Sequence, residues 1–147
     1  MSADEFFNKI DQKLQNQKNV KASSKVTEDE NLTFLKEVVL RITPLTEDYA
    51  AKLQDRGMKV SIKTSDYSIS FSLFFKDGGH YAVILGSSDP SNRIEITVDF
   101  TNDDGRNFTS RSGATYNAET WKDEIYEESL RKCIEDFIFY ADRHGGL

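Results

Sequence analysis

The stretch "YSISFSLFFKDGGHYAVILG", residues 67–86, sets two alternating runs on either side of a glycine pair, and its reading decides the fold. In the first run Tyr67, Ile69, Phe71, Leu73 and Phe75 alternate with Ser68, Ser70, Ser72 and Phe74. A period of two puts these sets on opposite sides of a β-strand. A three-residue loop of Asp77, Gly78 and Gly79 then pairs Phe75 with Tyr81, Leu73 with Val83 and Phe71 with Leu85, so the large apolar side chains stay on one face. A two-residue loop would turn the second run over. Glycine supplies the positive φ that such loops require, so Gly78–Gly79 reads as a bend and not as a reactive loop beside His80.

The same alternation continues outward. Met58, Val60 and Ile62 alternate with Lys59, Ser61 and Lys63, and a turn at Ser65 and Asp66 sets Ile62 against Ile69 and Val60 against Phe71. Downstream, Ile94, Ile96, Val98 and Phe100 alternate with Arg93, Glu95, Thr97 and Asp99. The segment "TNDDGRN" is an Asp-rich, glycine-ended turn into a weaker fifth strand around Phe108.

Outside the strands the period becomes helical. Ser2 and Glu5 have capping-box spacing ahead of a stripe of Phe6, Phe7, Ile10 and Leu14. The polar stretch "QNQKNVKASSK" then predicts a flexible connection, making residues 1–26 a loosely packed N-terminal helical arm. Thr27 and Glu30 repeat the capping spacing before Leu32, Leu35, Val38, Val39 and Ile42. Pro44 predicts a break at Thr43 and a third helix carrying Tyr49 and Leu53, ended at Gly57. Thr120 and Asp123 open a long last helix with an inner stripe of Tyr126, Leu130, Cys133, Ile134, Phe137 and Ala141, closed by His144 and Gly145. An antiparallel sheet with one apolar face needs a cover, and the terminal helices are the elements able to supply it. The expectation is a single α+β domain over residues 1–147. Its core is an antiparallel β-meander of about five strands, covered by N-terminal helices and a long C-terminal helix.

Composition narrows the function classes. The 147 residues carry a net charge of −6, which repels phosphate backbones and points away from nucleic acid, towards partners with a basic surface. Charge is segregated: residues 8–25 hold five lysines against one aspartate, while residues 119–143 hold eight carboxylates against four cations. No apolar run approaches the roughly 20 residues needed to cross a bilayer. The opening residues lack a basic start followed by an apolar segment, and the single Cys133 has no partner for an internal disulfide, so a cytoplasmic location is expected.

Chemical motifs are sparse. His80 falls on the polar face near Asp99 in either register open to the third and fourth strands, which makes His80 and Asp99 the best acid–base pair available. A nucleophile among the serines fails on distance: with His80 opposite Lys76, Ser72 lies four residues along its strand, roughly 13 Å away. "DFTNDDGRN" has oxygen ligands but not calcium-loop spacing, Cys133 lacks a CxxC partner, and neither a Walker loop nor GxGxxG is present; no metal or cofactor is expected. Two surfaces offer apolar anchors instead. Trp121, Ile125 and Phe139 project from the last helix away from its inner stripe, and Phe74 and Ile84 interrupt the serines and charges on the sheet's polar face.

The leading expectation is therefore a non-catalytic protein-binding module of the inhibitor, immunity-protein or secretion-chaperone kind, with homodimerisation as one form of its contact. The alternatives are a small-ligand cavity between sheet and last helix, lined by Phe71, Tyr81, Val98, Leu130 and Phe137, and an enzyme using His80 and Asp99.

Overall fold

The structure, a computed structural model, describes residues 2–147 and leaves undescribed the side chains of Ser23 and Ser24. Its elements run α1 (Ala3–Gln54), β1 (Lys59–Ser65), β2 (Ser68–Phe74), β3 (His80–Gly86), β4 (Glu95–Thr101), β5 (Asn107–Arg111) and α2 (Asp123–Tyr140), closed by a 3₁₀ turn over Ala141–His144. The strands form one antiparallel sheet in the order β1-β2-β3-β4-β5. This is the expected α+β meander with a helix from each end of the chain laid on its oily face.

The N-terminal region departs from expectation. In place of a flexible link and two further helices, α1 is one continuous helix of 52 residues, whose first half stands exposed as an arm. Low hydrophobicity at residues 15–25 does not break it, because Gln, Lys and Ala are good helix formers and neither Gly nor Pro occurs before Pro44. Pro44 itself sits inside the helix. The bond it removes would have gone to the carbonyl of Leu40, and both residues are exposed, so that carbonyl is open to solvent on the outer side and need not be satisfied by the helix. Ser2 does cap the start, accepting the amide of Glu5 at 3.2 Å, and Gly57 adopts φ 84° past the end.

Both hairpins flanking β2 keep the expected face and slip the expected register by two. Ile62 lies opposite Phe71 and Val60 opposite Leu73, while Leu73 lies opposite Tyr81 and Phe71 opposite Val83. The loop between β2 and β3 has three residues, but they are Lys76, Asp77 and Gly78. The amide of Phe75 bonds Gly79 O at 2.8 Å and that of Gly78 bonds Phe75 O at 3.1 Å. Such a loop needs its left-handed residue in third place, and Gly78 takes that place at φ 90°. The β4–β5 loop repeats the device with Asn102 to Arg106 and Gly105 at φ 81°.

The core lies where α1 covers β1 and β2 and α2 covers β3. Phe71, Leu73, Val83, Leu85, Tyr126, Leu130 and Phe137 are buried there. The two helices are tied by polar contacts as well as packing. Thr46 Oγ1 and the Tyr126 hydroxyl lie 2.7 Å apart in the interior, and Arg41 grips Asp123 with two hydrogen bonds at 2.9 and 3.1 Å. Burial pushes the Tyr126 phenol up to about 12.

Candidate functional site

At one end of the sheet the C-terminal turn is stapled to the β2–β3 loop. The amides of Lys76 and Asp77 bond the carbonyls of Gly146 and His144, each at 3.1 Å. His144 is buried, stacks on Phe75 with ring centres 4.3 Å apart, and sets Nδ1 2.9 Å from Asp77 Oδ2. The Gly79 amide on Asp77, joined by His144, holds that carboxyl below its ordinary range. This staple fixes the end of α2 over β3 and leaves its last turn at the rim of the sheet.

Beyond that rim the oily face is open. A helix is about 10 Å across and strands are about 4.8 Å apart, so two helices shield roughly four of five strands. Here β5 is the strand left out, all five of its residues being exposed. Tyr81, Phe100 and Phe108 form a ladder across β3, β4 and β5, with ring centres 5.5 and 5.9 Å apart. Tyr140 stacks on Tyr81 from α2 at 6.4 Å, Phe139 meets Tyr140 edge-on at 4.9 Å, and the Arg143 guanidinium lies over both rings. Between the ladder and the β4–β5 loop opens a cleft of about 420 Å³, lined by Tyr81, Phe100, Tyr140, Arg143, His144 and Asp103 among others. The arrangement offers flat aromatic surface, a cation held by Asp103 at 3.4 Å, and carboxylates at its edge.

The residues singled out from sequence are not brought together. Trp121 does not project outward: it precedes α2 and is 6% exposed, packed edge-on against Tyr116 with its Nε1 donating to Asp123 at 2.8 Å. The helix starts later than expected because Asn117 Oδ1 accepts the amides of Glu119 and Thr120 and closes a turn there, leaving Lys122 as an extended cap. Ile125 is half-buried against the core, whereas Phe139 is 67% exposed as expected. Phe74 and Ile84 occupy the sheet's other face, both half-buried. They are roughly 13 Å apart along the strands, since Phe74 pairs with His80 and Ile84 with Ser70.

The His80–Asp99 pair is not formed. Thr101 stands beside His80, its Oγ1 3.2 Å from Nδ1, and Asp99 accepts the Thr109 hydroxyl at 2.6 Å. The register sets Ala82, not His80, opposite Asp99. In the oxygen-rich β4–β5 loop, Asn102 Oδ1 accepts the amides of Asp104 and Arg106, so its oxygen closes a turn. Among the described residues no cluster of three or more His, Cys, Asp or Glu is placed to hold a metal, and no helix is long and apolar enough to cross a membrane. Of the residues expected to line a ligand cavity, Phe71, Leu130 and Phe137 are fully packed and Tyr81 opens onto the cleft.

Sequence reasoning missed Phe100, Phe108, Tyr140 and Arg143 as a group. The available signal was a count, five strands against two covering helices, together with the period-two placement of Phe100 and Phe108 on the oily side. Compared with protein-family models, with curated proteins and with solved structures, the chain matches none.

Proposed function

We propose that this chain is a non-catalytic protein-binding module that receives an apolar segment of its partner on the open aromatic strip. The observation that carries the reading is the uncovered oily face at β5, where Phe108 is 46% exposed beside half-buried Phe100 of β4, with exposed Phe139 and the Arg143 guanidinium on the facing helix end. Aromatic rings and arginine are the side chains in which interface energy concentrates, and they bury area at little entropic cost. An inhibitor, immunity-protein or chaperone-like role is the class of function that suits such a surface on an acidic domain. The single buried thiol suits a cytoplasmic setting.

The decisive experiment is capture of binding proteins by the parent and by a Phe108→Asp, Phe139→Asp double variant. Both side chains are exposed, so the variant keeps its fold and loses the captured protein. Equal capture by the two refutes the assignment.

The cleft volume supports a second reading, since about 420 Å³ falls in the range of small-ligand sites. On that reading a planar, cationic or hydroxyl-bearing molecule stacks on Tyr81 and Tyr140. It raises the melting temperature of the parent and not of a Tyr140→Ala variant.

A further inference from the structure

Among the described residues two unpartnered apolar surfaces stand out, and they lie at opposite ends. One is the aromatic strip. The other is the first half of α1: among the described side chains that precede Asn31, all are exposed except the half-buried Ile10 and Glu28. Phe6, Ile10 and Leu14 form a stripe there, and each stands about seven turns ahead of Asn31, Leu35 and Val39 respectively. Leu35 and Val39 are buried in the core, and Asn31 is buried where it bonds Ser91 O. The stripe of the projecting half therefore faces the direction in which α1 covers its own body, but overhangs the body's end. Most helical stability in proteins comes from packing an amphipathic face, and the described side chains of this half leave theirs largely exposed.

We infer that the projecting half of α1 packs its stripe on the aromatic strip of a second copy, the two copies exchanging arms; this rests on the strip being a protein-binding surface. The arm cannot serve its own strip. It leaves the body where Asn31 and the carbonyl of Glu28 bond Ser91 and Asn92, in the β3–β4 connection, whereas the strip borders the β4–β5 loop at the other end. With no Gly or Pro before Pro44, it cannot fold back.

Size and charge fit a second copy. Residues 3–27 span about 37 Å as helix, enough to run the length of a seven-residue strand of about 23 Å. The arm would supply the third helix that a five-stranded sheet lacks. Its residues 8–25 carry five lysines against one aspartate, so the rest of the chain is more acidic than the whole. Asp103 and Asp104 line the receiving cleft, and Asp103 already holds Arg143. Like arms repel each other, while arm and body attract. Exchange about a two-fold axis closes the assembly and satisfies both stripes.

The test uses sedimentation of the full chain over about 1–100 μM, a range that separates weak from stable pairs. The parent is expected to dimerise. Leu14→Asp on the arm and Phe108→Asp on the strip, both at exposed positions and checked for native circular dichroism, are each expected to weaken dimerisation about 30-fold or more. The diagnostic sample is an equimolar mixture of the two variants, which retains one intact arm and one intact strip and so recovers association that neither variant shows alone. Phe7→Asp and Phe139→Asp repeat the test at neighbouring positions. A monomeric parent overturns the inference. So does a mixture without recovery, or a variant that still dimerises alone: Phe108→Asp under arm–arm pairing, Leu14→Asp under β5–β5 edge pairing. In each case the capture experiment above still decides whether the strip binds another protein.

Discussion

The two halves of the oily face are built from the same alternation and meet different fates. Over β2 and β3, Phe71, Leu73, Val83 and Leu85 are 0% exposed beneath α1 and α2, while on β5 Phe108 is 46% exposed under nothing. Phe108 is as large and apolar as the covered residues, although its strand adds only Ser110 to that face. What exposes Phe108 is the lack of cover, so burial of a ring here depends on how far a helix reaches as well as on how apolar the strand is. The open half is surplus to folding, and surplus apolar surface on a stable scaffold is what a binding site needs.

This contrast can be broken or sharpened by substitution. Phe137→Ala, which removes a ring stacked on Phe75 at 4.4 Å in the covered half, is expected to cost about 3–5 kcal/mol by chemical denaturation. Phe108→Ala in the open half is expected to cost less than about 1 kcal/mol measured on the monomer. Equal costs would mean that the two halves are covered alike.

The staple that divides the halves comes next. His144→Ala loses a buried stacked ring and the contact with Asp77, and is expected to cost about 2 kcal/mol while loosening the rim of the cleft. Its acid limb has a defined sign. Because the folded-state pKa of Asp77 is lowered from 3.8, its contribution is present above that value and fades as pH falls through the folded pKa. The stability gap between the parent and Asp77→Asn is therefore expected at neutral pH and to close in strong acid. A gap that widens on acidification would reverse the assignment.

The smallest effect is on Cys133. Burial, aided by Asp136, pushes its thiol up to about 12, so native protein at neutral pH is expected to resist a thiol reagent that labels the unfolded chain at once. Rapid native labelling would show that the covered half opens.

Legibility in the sequence followed the range of the interactions involved. The alternation at residues 67–86, the glycine bend and the inner stripe of α2 were all readable, because a side chain's face depends only on its position in a regular element. The register slips of two were not, since a shift by two preserves every face, and between β2 and β3 only the left-handed place of Gly78 selects between the pairings. Trp121 was misplaced because one turn made by the Asn117 side chain delayed the helix. Pro44 predicts a break from its own chemistry, although an exposed missing bond is one that water can replace.

The sequence by itself determined the meander, its oily side and the helices at both ends, because those follow from local periodicity and from the conformations that glycine and proline allow. Tertiary structure alone decided that the first half of α1 overhangs the body, that His144 meets Asp77, and that Phe100, Phe108, Tyr140 and Arg143 form one strip. Those facts depend on how wide a sheet two helices can cover and on which residues far apart in the chain end at the same rim, and neither quantity is written in any local stretch.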